Sequence, residues 1–150
     1  MAAPLDPQLA SAIVWLDALT TNVDRTARNT NMLLWHRQLW LIDHGAALYV
    51  HYSWANWQER ITTPFAQIKD HVLLPQASAL QEVDAALAAR LTPELIERIL
   101  ELIPEDWLAA DHTWSSAGDA RAAYRTYLLG RLAAPRRFVE EAIRARTLAI

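Results

Sequence analysis

Asp24, Asn29 and Asp43 are the residues whose types and spacing point to chemistry. Asp24 lies in a polar, Asn-rich run, residues 22–31, with Asn29 five residues later and Asn31 two beyond that. Asp43 follows Asn29 by fourteen residues and opens the tripeptide Asp43-His44-Gly45. Two carboxylates and a carboxamide make up the set that phosphoryl transfer needs. One carboxylate orients the attacking hydroxyl and accepts its proton. A carboxamide oxygen and a second carboxylate hold magnesium against nucleotide phosphates, because magnesium prefers hard oxygen ligands and completes its shell with water and phosphate. Gly45 would let the backbone turn sharply away behind such a metal ligand.

These side chains can meet only if the chain between them folds back on itself. Two short apolar runs, residues 32–35 and 39–42, flank His36-Arg37-Gln38 and predict a β-hairpin, although the link lacks the Asn-Gly turn signature. A hairpin returns residue 43 to the neighbourhood of residues 29–31. Before the loop, residues 8–21 predict a helix apolar on nearly all sides, hence buried. Residues 43–76 show no sustained period and are punctuated by Pro64 and Pro75, a long irregular segment of the kind usually kept for function.

Helices follow. Ser78 and Gln81 read as a capping box ahead of a stripe of Leu80, Val83, Leu87 and Leu91. Thr92-Pro93 reads as an N-cap with proline at the first helical position, leading a helix through Ile103. A further helix spans about residues 119–133, with Ala123, Tyr124, Tyr127, Leu128 and Leu132 inward, and Pro135 opens the last one. The expected fold is mainly α with one β-hairpin, in a single domain over residues 1–150.

Composition narrows the function. A chain of 150 residues can bury a sizeable core. The formal net charge of −3 gives no electrostatic footprint for nucleic acid. With no cysteine, disulfides and thiolate metal sites are excluded. No stretch reaches the ~18 apolar residues of a membrane span, and Asp6 and Pro7 interrupt any leader-like apolar run. The expectation is a soluble, cytoplasmic protein. Seven tryptophans are expected mainly to pack the core.

The motifs also resemble a known family. The run Asn22-Val-Asp-Arg-Thr-Ala-Arg-Asn-Thr-Asn31 resembles the catalytic loop of bacterial HipA-like kinases and is similar to the Asp-Arg-His-x-x-Asn loop of phosphoinositide-type kinases. Leu39-Trp-Leu-Ile-Asp43-His-Gly45 is similar to the metal-binding loop that reads Asp-Phe-Gly in eukaryotic protein kinases. Ile13-Val-Trp-Leu-Asp-Ala-Leu, Ile68-Lys-Asp-His-Val-Leu-Leu-Pro75 and Ile103-Pro-Glu-Asp-Trp-Leu108 extend the resemblance over most of the chain.

The resemblance implies a protein-kinase-like C-terminal helical lobe that works with ATP and Mg2+ on a protein Ser/Thr hydroxyl. It implies Asp24 as catalytic base and Asn29 and Asp43 as magnesium ligands, with Asn31 as substitute or helper. Arg25 or Arg28 would offset phosphate charge. Thr26 stands where the related loops often carry histidine. Such kinases place a β-rich lobe before the catalytic loop, with a glycine-rich loop and a strand lysine. Here the first glycine is Gly45 and the sole lysine is Lys69. The chain is therefore expected to be a C-lobe fragment, a split kinase or a truncated product. Its partner would be a protein substrate, a separate N-lobe or a second copy of itself.

Other readings compete. A non-catalytic helical interaction module derived from such a lobe would use the same fold, docking partners on an uncovered apolar face. His36, His44 and His51 with Asp43 suggest a zinc hydrolase, but none forms a helical His-x-x-x-His pair, and turn or structural histidines are the better expectation. Tyr49, Tyr52, Trp54 and Trp57 form either a partner groove or packing against the helices, with packing favoured. Arg131, Arg136, Arg137, Arg144 and Arg146 alternate with Glu140 and Glu141 as a solvated helix face.

Overall fold

A computed structural model describes residues 5–149. Helix α1, Pro7–Leu19, begins where Asp6 accepts a hydrogen bond from the Leu9 N–H and Pro7 occupies the first helical position. That pairing satisfies one orphan donor and wastes none at the proline. α1 is central, with Ala10, Ile13, Val14, Trp15, Ala18 and Leu19 buried, but it is not buried on all sides as its composition predicts, because Leu9 and Leu16 are exposed. It packs on α3, Leu80–Arg90, on α7, Arg137–Ala149, and on a short 3-10 turn, Leu74–Gln76. Phe65, Ile68, Leu74, Phe138 and Ala142 complete this core.

Strands β1, Met32–Trp35, and β2, Gln38–Leu41, pair antiparallel, Met32 opposite Leu41 and Trp35 opposite Gln38. The connection is two residues rather than three. His36 and Arg37 both adopt left-handed backbone (φ 47 and 63), which gives the turn a twist matching that of the strands. The face carrying Met32, Leu39 and Leu41 packs on the core. The opposite face carries Leu33, Trp35 and Trp40, all exposed.

Residues 43–76 are irregular in outline, yet they contain 3-10 turns at Tyr49–Tyr52, Ala66–Asp70 and Leu74–Gln76 and a single turn of helix, α2, Trp57–Arg60. The expected capping box does not form. Ala79 is the N-cap of α3, and the Ala79 N–H is taken by the Ser11 hydroxyl of α1 at 2.9 Å. Helix α4, Pro93–Glu101, is capped by Thr92 as expected. A further short helix, α5, Glu105–Ala109, precedes α6, Ala117–Leu132, which is capped by Ser116. The last helix starts at Arg137, two residues beyond the proline expected to open it.

Of the arginines expected on a solvated face, Arg137 and Arg144 are exposed, whereas Arg131 and Arg136 depart from it. Arg131 is buried, its guanidinium bonded to the carbonyls of Ala18, Leu19, Ile61 and Thr63. Arg136 grips both oxygens of Asp84 at 2.7 and 2.8 Å, tying α7 to α3. Among the tryptophans, Trp15 and Trp54 are buried with their N–H groups on Asp84 and Asp111. Trp35, Trp40 and Trp107 are exposed instead. No helix among the described residues is long and apolar enough to cross a membrane.

Candidate functional site

Two crossing turns shape the loop of residues 22–31. Thr26 and Asn29 exchange backbone hydrogen bonds at 2.9 and 3.2 Å, which folds the tip over and returns Asn29 toward Asp24. The Asn29 Nδ2 then donates to Asp24 Oδ2 at 2.8 Å. Asn31, in left-handed backbone (φ 46), is buried and donates its own Nδ2 to the Asp24 carbonyl at 2.9 Å and to Oδ2 at 3.3 Å. The three sequence-selected loop residues therefore form one unit. With both amide nitrogens spent on Asp24, each carboxamide oxygen is left to accept elsewhere, and Asp24 Oδ1 is the oxygen neither amide engages.

Asp43 reaches the unit through the hairpin. The Ile42 N–H donates to the Asn31 carbonyl at 3.0 Å, which extends the ladder one residue past β2 and sets Asp43 beside the loop. Asp43 is exposed and left-handed (φ 50), a conformation open to aspartate more than to most residues. Gly45 lies against it: a Cβ there would stand 3.4 Å from Asp43 Oδ1. The Gly45 carbonyl accepts from the Tyr52 hydroxyl at 2.8 Å, which fixes the backbone behind the carboxylate. The backbone thus brings Asp43 to the loop, while its carboxylate makes no direct contact with Asp24 or Asn29.

Arg28 is exposed on the loop tip. Arg25 is not available for phosphate, because it is buried and committed beneath the loop. Its Nε donates to Asp17 Oδ2, its Nη2 to Asp17 Oδ1 and its Nη1 to the Asn31 carbonyl. Asp17, on α1, also accepts from the Asn22 Nδ2 at 3.0 Å and from the His71 Nε2 at 2.9 Å. Burial alone would raise the Asp17 carboxyl, but hydrogen bonds from His71 and Arg25 outweigh it and hold the group below the ordinary carboxylate range.

Asp17 and His71 escaped sequence reading. The available signal was an aspartate inside an otherwise apolar helix, since a buried carboxylate must be paired. Its partner His71 lies 54 residues away, in a segment without periodicity.

The donor set fits magnesium. Asn29, Asn31 and Asp43 offer only oxygen ligands, and Gly45 keeps the Asp43 carboxylate unobstructed on one side. Among the described residues no group of three or more His, Cys, Asp or Glu could hold a metal ion.

The histidine reading fails on the same geometry. His36 sits in the hairpin turn, His44 Nε2 faces the Leu41 carbonyl at 3.2 Å and His51 Nδ1 faces the Tyr124 hydroxyl at 3.3 Å. Of the aromatic residues after Gly45, Trp54 and Trp57 pack with Trp114 in a second core, whereas Tyr49 and Tyr52 stay on the surface. No protein-family model, curated protein or solved structure matches the chain.

Proposed function

We propose that residues 22–45 are the catalytic and metal-binding half of an ATP-dependent phosphotransferase site. The chain would be the helical lobe of a HipA-like kinase acting on a protein serine or threonine hydroxyl. The observation that carries the reading is the Asp24–Asn29–Asn31 unit, in which both carboxamides turn their nitrogens to one carboxylate and so leave their oxygens for a cation.

When bound, magnesium supplies charge neutralisation for the transferring phosphoryl group. Asn29 and Asp43, with Asn31 behind them, are the residues that would hold it. Asp24 does the proton chemistry. Its Oδ2 is fixed by two amide donors, so Oδ1 is presented to the acceptor hydroxyl and takes its proton as the hydroxyl attacks. Arg28, at the exposed tip, lends positive charge toward the phosphates. The outward hairpin face of Leu33, Trp35 and Trp40 is apolar and open, and a covering lobe or partner chain would close the nucleotide from that side.

Calorimetric titration with Mg-ADP tests the reading. The unmutated chain should bind only with magnesium present, and Asp43→Ala should weaken binding about tenfold or more, equivalent to about 1.4 kcal/mol. Unchanged affinity in Asp43→Ala would remove the metal role.

The exposed apolar hairpin face also supports a second reading, a non-catalytic module that docks another protein chain there. The two readings differ in whether a nucleotide is bound at all.

A further inference from the structure

The hydrogen bonds of Asp24 among the described residues all run to other loop residues, Asn22, Asn29 and Asn31, so its position is transmitted through them. The loop is anchored at three points: the Asn22 side chain, the Arg25 guanidinium and the Asn31 carbonyl. Asn22 and Arg25 bond to the carboxylate of Asp17, and Arg25 carries the connection on to Asn31. The fourth donor on Asp17 is His71. The same histidine holds the loop by its backbone, through an antiparallel bridge to Thr26 and through the neighbouring Val72 N–H on the Arg25 carbonyl at 3.0 Å.

The ring of His71 is held in one form. Its Nδ1 accepts the Leu73 N–H at 3.0 Å, so the ring proton resides on Nε2 and is donated to Asp17. Both ring nitrogens and the ring itself are buried. A donor fixed in this way selects which lone pairs of Asp17 remain for Asn22 and Arg25. Asn22 in turn accepts the Asp24 N–H on its Oδ1 at 3.1 Å, and Arg25 fixes the residue whose amide grips Asp24.

We infer that His71 is a positioning residue for the site, setting the geometry of Asp24 and Asn31 through Asp17 by donating a single Nε2 proton. The role in catalysis rests on the phosphotransfer reading; the role in ordering the loop does not.

Two substitutions separate donation from packing. His71→Gln keeps an amide donor near the position of Nε2. His71→Asn keeps an acceptor near Nδ1 but offers Asp17 nothing. In the unmutated chain, long-range proton–nitrogen spectra of the ring should show a bare Nδ1 and a protonated Nε2. Hydrogen exchange of the Asp24 and Ile42 amides should rise about tenfold or more in His71→Asn and recover most of that in His71→Gln.

A ring protonated only on Nδ1, equal exchange in the two variants, or unchanged exchange in a folded His71→Asn would each overturn the inference. If His71→Asn does not fold, the ring spectrum and His71→Gln still decide it. Mg-ADP affinity adds the link to function. If the unmutated chain binds and Asp43→Ala does not, His71→Asn should bind about tenfold more weakly and His71→Gln nearly as well as the parent. Full affinity in His71→Asn would refute the coupling to the site. If the unmutated chain binds no nucleotide, nucleotide binding by this chain alone fails by itself and the exchange data still judge the positioning role.

Discussion

A carboxylate in the middle of an apolar helix is tolerated because four donors surround it. Asp17 receives Asn22, Arg25 and His71 with under a tenth of its surface exposed, so its ionised form is favoured in the fold despite burial. A carboxyl depressed in the folded state adds stability that is fully present above its unfolded value, 3.8, and is lost as pH falls through the lower folded value. Replacing Asp17 by asparagine leaves Arg25 buried without its counter-charge, which should cost about 3–5 kcal/mol at neutral pH. Urea unfolding of both chains checks this, and the gap between them should narrow below pH 3.8. A pH-independent gap would show that packing, not charge, is what asparagine disturbs. At this scale the sequence exposed Asp24, Asn29 and Asn31, since all three share one short loop and their spacing is visible. It did not expose His71, whose partner is fixed only by tertiary structure, and it left Arg25 free for a phosphate role that burial forbids.

At the scale of elements, local chemistry was readable wherever the cap and its helix lie together. Thr92-Pro93 and the run before α1 behave as their residue types demand. The Ser78 box fails because the Ser78 N–H is taken by the Gln76 carbonyl and α3 starts one residue later, from an Ala79 N-cap. The hairpin was legible from its two apolar runs, yet its turn was not, because His36-Arg37 lacks the Asn-Gly signature of such a turn. Each left-handed residue of this kind costs about 1–2 kcal/mol relative to glycine-like freedom. Exchanging His36-Arg37 for Asn-Gly should therefore raise stability by about 1 kcal/mol, seen as a higher melting temperature with unchanged far-ultraviolet circular dichroism. A fall in melting temperature would mean that the edge-to-face contact of His36 with Trp35 matters more than backbone ease. The irregular stretch hid its three 3-10 turns and α2 because none is long enough to show a period.

Across the whole molecule, buried and exposed apolar surface are unevenly shared. Most of α1 and Met32, Leu39 and Leu41 of the inner hairpin face pack on the core, while Leu33, Trp35 and Trp40 line an open face next to the site. If that face docks a second copy, sedimentation should show mass rising with concentration, and the double substitution Leu33→Ser, Trp40→Ser should return it to one chain's mass. A single-chain mass at every concentration would leave the face to a different partner. The helical class and the hairpin were legible from periodicity; the role of Arg131 was not, since arginine late in a charged helix reads as solvated. Its guanidinium reaches back 112 and 113 residues to the last carbonyls of α1, the helix that carries Asp17 into the site. A chain emerging from the ribosome makes Asp24 well before Arg131 and cannot secure the end of α1 until α6 has been made and has docked. Contacts of such sequence separation form slowly, so the segment with the most demanding geometry is synthesised before the contact that completes it.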